Sequence, residues 1–167
     1  MTTRYAKLIK NDIVDGEGIC VSLWTQFCPH RCPGCHNPGT WSEDGGIEIS
    51  DNLIQEIIQA ISANGVMRNF SVLGGEPLVD RNLTFVSMVV QEVRKAYPDI
   101  KIFVWTGYTY EQMTSEQQKV VNMCDILIDG PFILSQRDIT LPFRGSANQR
   151  VIDVQATLKN KKIILYK

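Results

Sequence analysis

The stretch ICVSLWTQFCPHRCPGC, residues 19–35, places three cysteines directly behind an apolar segment. The first part, residues 19–25, is rich in β-branched and apolar side chains and is typical of a buried strand. The second part is interrupted by two prolines and a glycine, so it is expected to form a loop. The stretch therefore predicts a strand whose carboxyl end carries three thiols, those of Cys28, Cys32 and Cys35.

Three further strand-like segments also end in unusual loops. They are residues 70–73 before GGEP, residues 101–106 before GY, and residues 125–129 before GPF. Helical patterns separate them at about 50–65, 82–97 and 110–123. This alternation predicts an α/β fold with mainly parallel strands. Because the carboxyl ends of parallel strands share one edge, where active sites are built, we expect the four loops to converge.

The length limits the architecture that this alternation can form. A complete eight-stranded barrel takes about 250 residues, and the chain has 167. We therefore expect one domain, residues 1–167, built as a partial or open (β/α) barrel. Residues 1–18 are expected to be irregular. Residues 150–158 and 161–167 look like two strands, which predicts a C-terminal hairpin.

Composition and charge exclude several classes of function. A net charge of −1 disfavours nucleic acid as the main partner. No apolar run approaches the roughly 20 residues that span a bilayer, and the amino-terminal sequence lacks the apolar core of a secretory signal. We therefore expect a cytoplasmic protein with no membrane partner. In that reducing compartment, five cysteines point to metal or catalytic chemistry rather than to disulfides.

Three local thiols are one too few for a closed metal site, and two interpretations follow. Structural zinc would need a fourth ligand such as His30 or His36. Alternatively, the thiols bind three irons of a cubane cluster and leave the fourth iron open. Cys20 and Cys124 are poor additional ligands, because each lies near the opposite end of its strand and is expected to be a buried apolar residue.

The CxxxCxxC spacing of the three cysteines, followed by GGEP at residues 74–77, resembles the two motifs of the radical S-adenosylmethionine enzymes. Together with CPGCHN, WTGY, DGPF and FRGSANQRVIDV, it is similar to the anaerobic ribonucleotide reductase activating proteins. The resemblance implies that Cys28, Cys32 and Cys35 ligate a [4Fe-4S] cluster whose open iron binds S-adenosyl-L-methionine. It also implies six cofactor-binding positions: Gly34 and His36 near the cofactor, Gly74, Gly75 and Glu76 at its methionine end, and Pro77, which fixes the turn.

The resemblance further implies the reaction. Reductive cleavage of S-adenosylmethionine would give methionine and a 5′-deoxyadenosyl radical, which would take a hydrogen atom from a glycine of the anaerobic ribonucleoside-triphosphate reductase. Reduced flavodoxin or a similar donor would supply the electron. A pyruvate formate-lyase-type activase, an enzyme like 7-carboxy-7-deazaguanine synthase and a non-catalytic zinc-binding module are the alternatives.

Three further features of the sequence each allow two interpretations. Asp15 and Gly16 match a DGxG segment that lies by the target loop in glycyl-radical activases, although they could form only a turn. Tyr108 could contact the cofactor or only end a strand. Asp129 could serve the site or cap a turn.

Overall fold

The predicted buried strand is β2, Cys20–Thr25, and all six of its residues are buried. In the computed structural model, which describes residues 3–167, three strands run parallel to it: β4 (Asn69–Gly74), β5 (Ile102–Trp105) and β6 (Ile126–Asp129). The remaining strands are β1 (Arg4–Asp12), β3 (Ile47–Glu48) and β7 (Arg150–Asp153). The sheet order is β3-β1-β2-β4-β5-β6-β7, so the sheet is open and its middle is parallel.

One face of the sheet carries the larger apolar core, and most of its helical residues come from α1 (Leu53–Ile61), α2 (Asp80–Ala96) and α3 (Ser115–Val121). In α1 the buried residues recur at helical spacing: Leu53, Ile57, Ala60 and Ile61. Each large aliphatic side chain buried in this way contributes about 1.5–3 kcal/mol. Among residues 3–167, no helix has the length and apolar character needed to cross a bilayer.

The second face of the sheet has a smaller core and is partly polar. Phe103 anchors an apolar cluster there with Ile126, Ile128 and Val151. Loops cover this face: Ser71 donates a hydrogen bond of 2.5 Å to the carbonyl of Asp15, and Trp105 donates one of 2.6 Å to the carbonyl of Phe143. The sheet therefore has one face packed by helices and one face overlaid by irregular chain.

The expectation that residues 1–18 are irregular is wrong over most of the part that the structure describes. Residues 4–12 form β1, which pairs antiparallel with β2 and carries two register shifts. Long-range pairing with a buried neighbour makes this segment a strand despite its mixed polar and apolar sequence. Residues 1–2 lie outside the described residues.

The predicted C-terminal hairpin is wrong in its first arm, because Val154–Asn160 form a helix, α4. The Asp153 side chain accepts a hydrogen bond of 2.9 Å from the amide of Ala156 and so caps this helix. The chain then returns antiparallel to β7: the amide of Asp153 donates to the carbonyl of Ile164, and the amide of Tyr166 donates to that of Val151, both at 2.9 Å. The pairing of the tail exists, but a helix separates the two segments.

The predicted helix at 110–123 is shorter than expected. A 3-10 turn occupies Tyr110–Gln112, and α3 begins only at Ser115. A capping box sets this start: the hydroxyl of Thr114 accepts from the amide of Gln117, while the Gln117 side chain accepts from the amide of Thr114.

Candidate functional site

The four predicted loops meet at the carboxyl edge of the parallel strands. The amide of Gly75 donates a hydrogen bond of 2.9 Å to the carbonyl of Thr25, and that of Glu76 donates one of 2.8 Å to the carbonyl of Phe27. Further along the edge, the amide of Gly130 donates to the carbonyl of Tyr108 at 3.0 Å. The expected convergence is confirmed, because backbone hydrogen bonds join the first loop to the second and the third to the fourth, and the Glu76 side chain joins the second to the third.

The cysteine loop presents three free thiols. Cys28, Cys32 and Cys35 are partly exposed, whereas Cys20 and Cys124 are free but fully buried, as expected for apolar packing residues. The amide of Cys35 donates to the carbonyl of Cys32 at 3.1 Å. The three partly exposed thiols are therefore accessible to a metal, whereas the two in the core are not.

The backbone of this loop directs amide hydrogens at sulfur. The amide of Asn37 donates to the Sγ of Cys35 at 3.4 Å. Burial raises the pKa of the Cys28 thiol to about 11, against the opposing effect of hydrogen bonds from the amides of His30 and Arg31. Such N–H···S contacts stabilise thiolates and tune the clusters that they hold. Binding of iron must still displace a proton from Cys28.

The donor set fits an iron–sulfur cluster better than a closed zinc site. Within residues 3–167, no three His, Cys, Asp or Glu side chains already surround a position for a single metal ion. His30, which could have been a fourth zinc ligand, instead donates through Nε2 to the carboxylate of Glu76 at 2.7 Å. Three thiols remain, with backbone amides directed at the sulfurs of Cys28 and Cys35, which is a ligand set suited to a cluster.

The Gly74–Gly75 turn lies directly against the start of the cysteine loop. Gly74 has a φ of +104°, and a Cβ there would lie 2.8 Å from the amide nitrogen of Thr25. A Cβ on Gly75 would lie 2.4 Å from the carbonyl oxygen of Phe27. Only glycine permits this approach, so the turn and the cysteine loop are fitted together through their backbones.

Glu76 is the polar centre of the site. Its side chain is only 1% exposed, yet both carboxylate oxygens are fully engaged. Oε1 accepts from the amide of Leu78 at 2.9 Å and from the hydroxyl of Thr106 at 2.7 Å. Oε2 accepts from the amide of Gly107 at 2.8 Å and from His30 at 2.7 Å. One buried carboxylate thus joins the loops after β2, β4 and β5.

The sequence did not predict this hydrogen-bond network. The motifs placed Glu76 near a ligand and suggested His30 only as a zinc ligand. Because the two residues are 46 positions apart, nothing local in the sequence links them. The only local signal was a histidine between two cysteines, and nothing in the sequence named its partner. The neighbouring Pro77 is buried and continues the turn.

The remaining predicted cofactor-binding positions lie on the outer side of the cysteine loop. Gly34 has a φ of +76°, and a Cβ there would lie 2.7 Å from the Cδ1 of Leu134. Leu134 is 53% exposed, and no sequence signal linked it to this loop. His36 is exposed and borders a pocket of about 370 Å³, where the ammonium group of Lys7 lies 3.9 Å from the centre of the Trp24 ring.

The structure does not bring the DGEG segment to the carboxyl edge. A Cβ on Gly16 would lie 2.7 Å from the Sγ of Cys20, near the opposite end of β2, roughly 17 Å along the strand. Burial and the neighbouring Asp12 raise the pKa of Asp15 to about 7. Glu17 binds Lys101 at 2.5 Å and accepts from the hydroxyl of Tyr166. This segment lies across the second face of the sheet.

Asp129 and Tyr108 contact residues that hold the loops of the site in place. The Asp129 side chain is 1% exposed and accepts from Arg150 Nε at 2.9 Å and from the amide of Tyr110 at 2.8 Å. The ring of Tyr108 lies edge-on to that of His30, with centroids 4.7 Å apart. Asp129 therefore holds the loop after β5 in place, and Tyr108 packs against the residue that connects to Glu76.

The fold and the thiol set define a class of protein, and comparison with known proteins agrees. A family model described as a 4Fe-4S single cluster domain matches residues 14–152. The match identifies the chain as an iron–sulfur protein of this class and favours a cluster over structural zinc.

Similar curated proteins narrow the class. The chain is 36% identical over 146 residues to a protein of Haemophilus influenzae, covering 87% of this chain and 94% of the relative. It is 38% identical over 139 residues to one of Vibrio cholerae (83% and 90%), and 36% identical over 141 residues to one of Escherichia coli K12 (84% and 92%). Each is named an anaerobic ribonucleoside-triphosphate reductase-activating protein. The chain belongs to this family.

Proposed function

We propose that the protein is the activating enzyme of an anaerobic ribonucleoside-triphosphate reductase, and that it generates a glycyl radical on that partner by reductive cleavage of S-adenosyl-L-methionine. Membership of the family of activating proteins supports the target. The observation that carries the chemistry is the direct backbone fit between the three-cysteine loop and the Gly74–Gly75 turn. This fit supports a cluster site and a ligand site that lie next to each other.

We propose Cys28, Cys32 and Cys35 as the cluster ligands. They are free and partly exposed, and the backbone amide of Asn37 is directed at one of their sulfurs. Three thiolates would leave one iron of a [4Fe-4S] cluster available for the amino and carboxylate groups of S-adenosylmethionine.

We propose that Gly74 and Gly75 line the methionine end of the ligand, because they are partly exposed and form the turn that lies directly against the three-cysteine loop. Pro77 would keep the turn in shape, and Gly34 and His36 would lie near the nucleoside. The Glu76 carboxylate has four protein donors, which supports a place behind the turn rather than in direct contact with the ligand.

When bound, the cluster would supply one electron at low potential, received from reduced flavodoxin or a similar donor. That electron would cleave S-adenosylmethionine into methionine and a 5′-deoxyadenosyl radical. The radical would take a hydrogen atom from the partner's glycine and become 5′-deoxyadenosine. The chain itself would hold the sulfonium and the thiol loop together. Its loops would also limit the access of water to the carboxyl edge.

We also propose that residues 1–167 form one domain built as a partial (β/α) barrel. A single open sheet with four parallel strands and helices on one face supports this architecture. The glycine loop of the partner would then approach the carboxyl edge of the parallel strands, where the cysteine loop lies.

The proposal is tested on anaerobically purified and reconstituted protein. The reduced protein is mixed with S-adenosylmethionine and the anaerobic reductase, and a glycyl-radical doublet is sought by electron paramagnetic resonance. We expect the doublet, and we expect it to disappear in Cys28→Ala, Cys32→Ala and Cys35→Ala. Cys124→Ala is the matched control, because it removes a buried thiol far from the site.

Two other outcomes would redirect the assignment. About one zinc and no iron in the purified protein would indicate a zinc-binding module instead. A doublet on pyruvate formate-lyase but none on the reductase would keep the chemistry and replace the partner.

A further inference from the structure

We infer that His30 and Glu76 are positioning residues whose contact fixes the three-cysteine loop relative to the Gly74–Gly75 turn. The inference rests on the proposed function, because it assigns these two side chains a role in holding the cluster and the ligand site together. It refines the expectation from the sequence, which placed Glu76 among the residues at the methionine end of the cofactor.

The carboxylate of Glu76 has no acceptor position left for a ligand. An ionised carboxylate offers about four lone-pair directions. Four donors at 2.7–2.9 Å use them: the amides of Leu78 and Gly107, the hydroxyl of Thr106 and the imidazole of His30. The carboxylate is therefore committed to the protein.

The four donors come from different parts of the site, so their common acceptor holds those parts together. Leu78 belongs to the same turn as Glu76, whereas Thr106 and Gly107 follow β5. His30 is the one donor among the four that comes from the cysteine loop, between Cys28 and Cys32. Through this single contact, the carboxylate fixes the cysteine loop to both neighbouring loops.

The imidazole of His30 is confined as well as hydrogen-bonded. A Cβ on Gly107 would lie 2.5 Å from Cδ2 and 2.6 Å from Nε2 of His30, so the ring packs directly on the backbone of Gly107. Tyr108 contacts the ring edge-on, and the His30 side chain is 19% exposed. A side chain held on these sides transmits its position to the two cysteines that flank it.

The two backbone donors explain why position 76 requires a side chain with two oxygen atoms and does not tolerate glutamine. The fixed amide donors of Leu78 and Gly107 contact opposite oxygens of the carboxylate. A glutamine has one oxygen and one NH₂ group, so in either orientation its NH₂ would face a backbone N–H. Glu76→Gln would therefore leave a buried donor unsatisfied, which makes the more exposed His30 the better residue to vary.

The experiment compares the wild type with His30→Ala, His30→Gln and Arg31→Ala. Glutamine retains a side-chain N–H that can reach Glu76, so it is the conservative rescue. Arg31→Ala is the matched control, because its side chain is exposed and occupies the next position in the same loop. The first readout is amide hydrogen exchange of the full-length apoprotein, followed by nuclear magnetic resonance at the amides of Glu76 and Gly107.

The second readout uses the reconstituted protein. The spectrum of the reduced cluster is recorded by electron paramagnetic resonance as S-adenosylmethionine is titrated. In His30→Ala we expect wild-type iron content, exchange about tenfold faster at the two amides, and a half-saturating ligand concentration about tenfold higher. His30→Gln should restore most of both effects, and Arg31→Ala should behave as the wild type.

Each remaining outcome decides a separate point. Unchanged exchange in His30→Ala would overturn the positioning role. Faster exchange with an unchanged titration would show that the contact holds the loops but does not place the ligand, and would also overturn the inference. A wild-type cluster that does not respond to S-adenosylmethionine would refute the proposed function, while the exchange data would still decide whether His30 fixes the loops.

Discussion

Replacing Gly74 by alanine should separate the two strands that carry the candidate site. Gly74 ends β4 at a φ of +104°, and a Cβ there would lie 2.8 Å from the amide nitrogen of Thr25 and 2.9 Å from its carbonyl oxygen. The Cα of Trp24 would also lie 2.9 Å away. All three atoms belong to the backbone of β2, so no side chain can swing aside to relieve the overlap.

Two separable effects set the magnitude. A non-glycine residue in a disfavoured backbone region costs about 1–3 kcal/mol, and overpacking typically costs about 1–3 kcal/mol more. Gly74→Ala should therefore lower the free energy of unfolding by about 2–6 kcal/mol, a large part of the roughly 5–15 kcal/mol typical of a domain. The loss should also displace the cysteine loop, which follows β2.

Two other glycines separate these effects. Gly18 has a φ of +65° with nothing within 4 Å of a Cβ, so Gly18→Ala should show only the backbone cost, about 1–3 kcal/mol. Gly39 has neither a positive φ nor a near neighbour, and Gly39→Ala should be close to neutral or stabilise by up to about 1 kcal/mol.

The assay is urea unfolding of the reduced apoproteins under anaerobic conditions, followed by far-ultraviolet circular dichroism. Equal slopes against urea would show that the variants differ in stability and not in compactness. If Gly74→Ala lost no more stability than Gly18→Ala, the close approach of β4 to the backbone of β2 would not be what requires glycine here, and the reasoning would fail.

Three further predictions concern charge, packing and metal. Burial and Asp12 raise the pKa of Asp15 to about 7, so between pH 4 and 7 the folded state keeps a proton that the unfolded chain releases, and the free energy of unfolding should fall by about 1–2 kcal/mol over this range. Asp15→Asn should remove this dependence on pH in urea unfolding. An equal dependence in the variant would contradict the assignment. Gly34→Ala should destabilise through both its φ and its contact with Leu134, and adding Leu134→Ala should recover about 1 kcal/mol in a double-mutant cycle, whereas strictly additive effects would exclude the contact. Removal of iron by an anaerobic chelator should leave the far-ultraviolet circular dichroism nearly unchanged, since the hydrogen bonds of Glu76 hold the site loops, and a loss of cooperative unfolding would show that the metal holds them instead.

The parallel middle of the sheet was predictable because its strands are short apolar runs between helical patterns. Residues 19–25 and 70–73 contain almost only buried side chains, and each precedes a turn-rich motif. The meeting of their loops follows from topology alone, since parallel neighbours end at one edge. For this reason the location of the candidate site could be inferred without coordinates.

The two ends of the chain were mispredicted because their structure depends on distant partners or on a weak local signal. Residues 4–12 become a strand by pairing with β2, and their own alternation is irregular, in keeping with the register shifts of β1. Residues 154–160 contain β-branched side chains that favoured a strand. Asp153 is a helix cap immediately before them, and its position was the signal that could have corrected the prediction.

The contact between His30 and Glu76 was not predictable from the sequence for a different reason. Glutamate in GGEP suggested a ligand contact, because sequence motifs report which residues occur together and not which lone pairs are already used. Four donors from three loops determine the role of this carboxylate, and only the fold brings them together.

The return of residues 164–166 along β7 has a consequence for the behaviour of shortened forms of the protein. Without this segment, the backbone groups of Val151 and Asp153 that it pairs would face solvent as an open strand edge. Such an edge is a template for strand addition by a second molecule. Removing the last five residues should therefore increase self-association of the protein, even though the thiols and the turn beside them are unchanged.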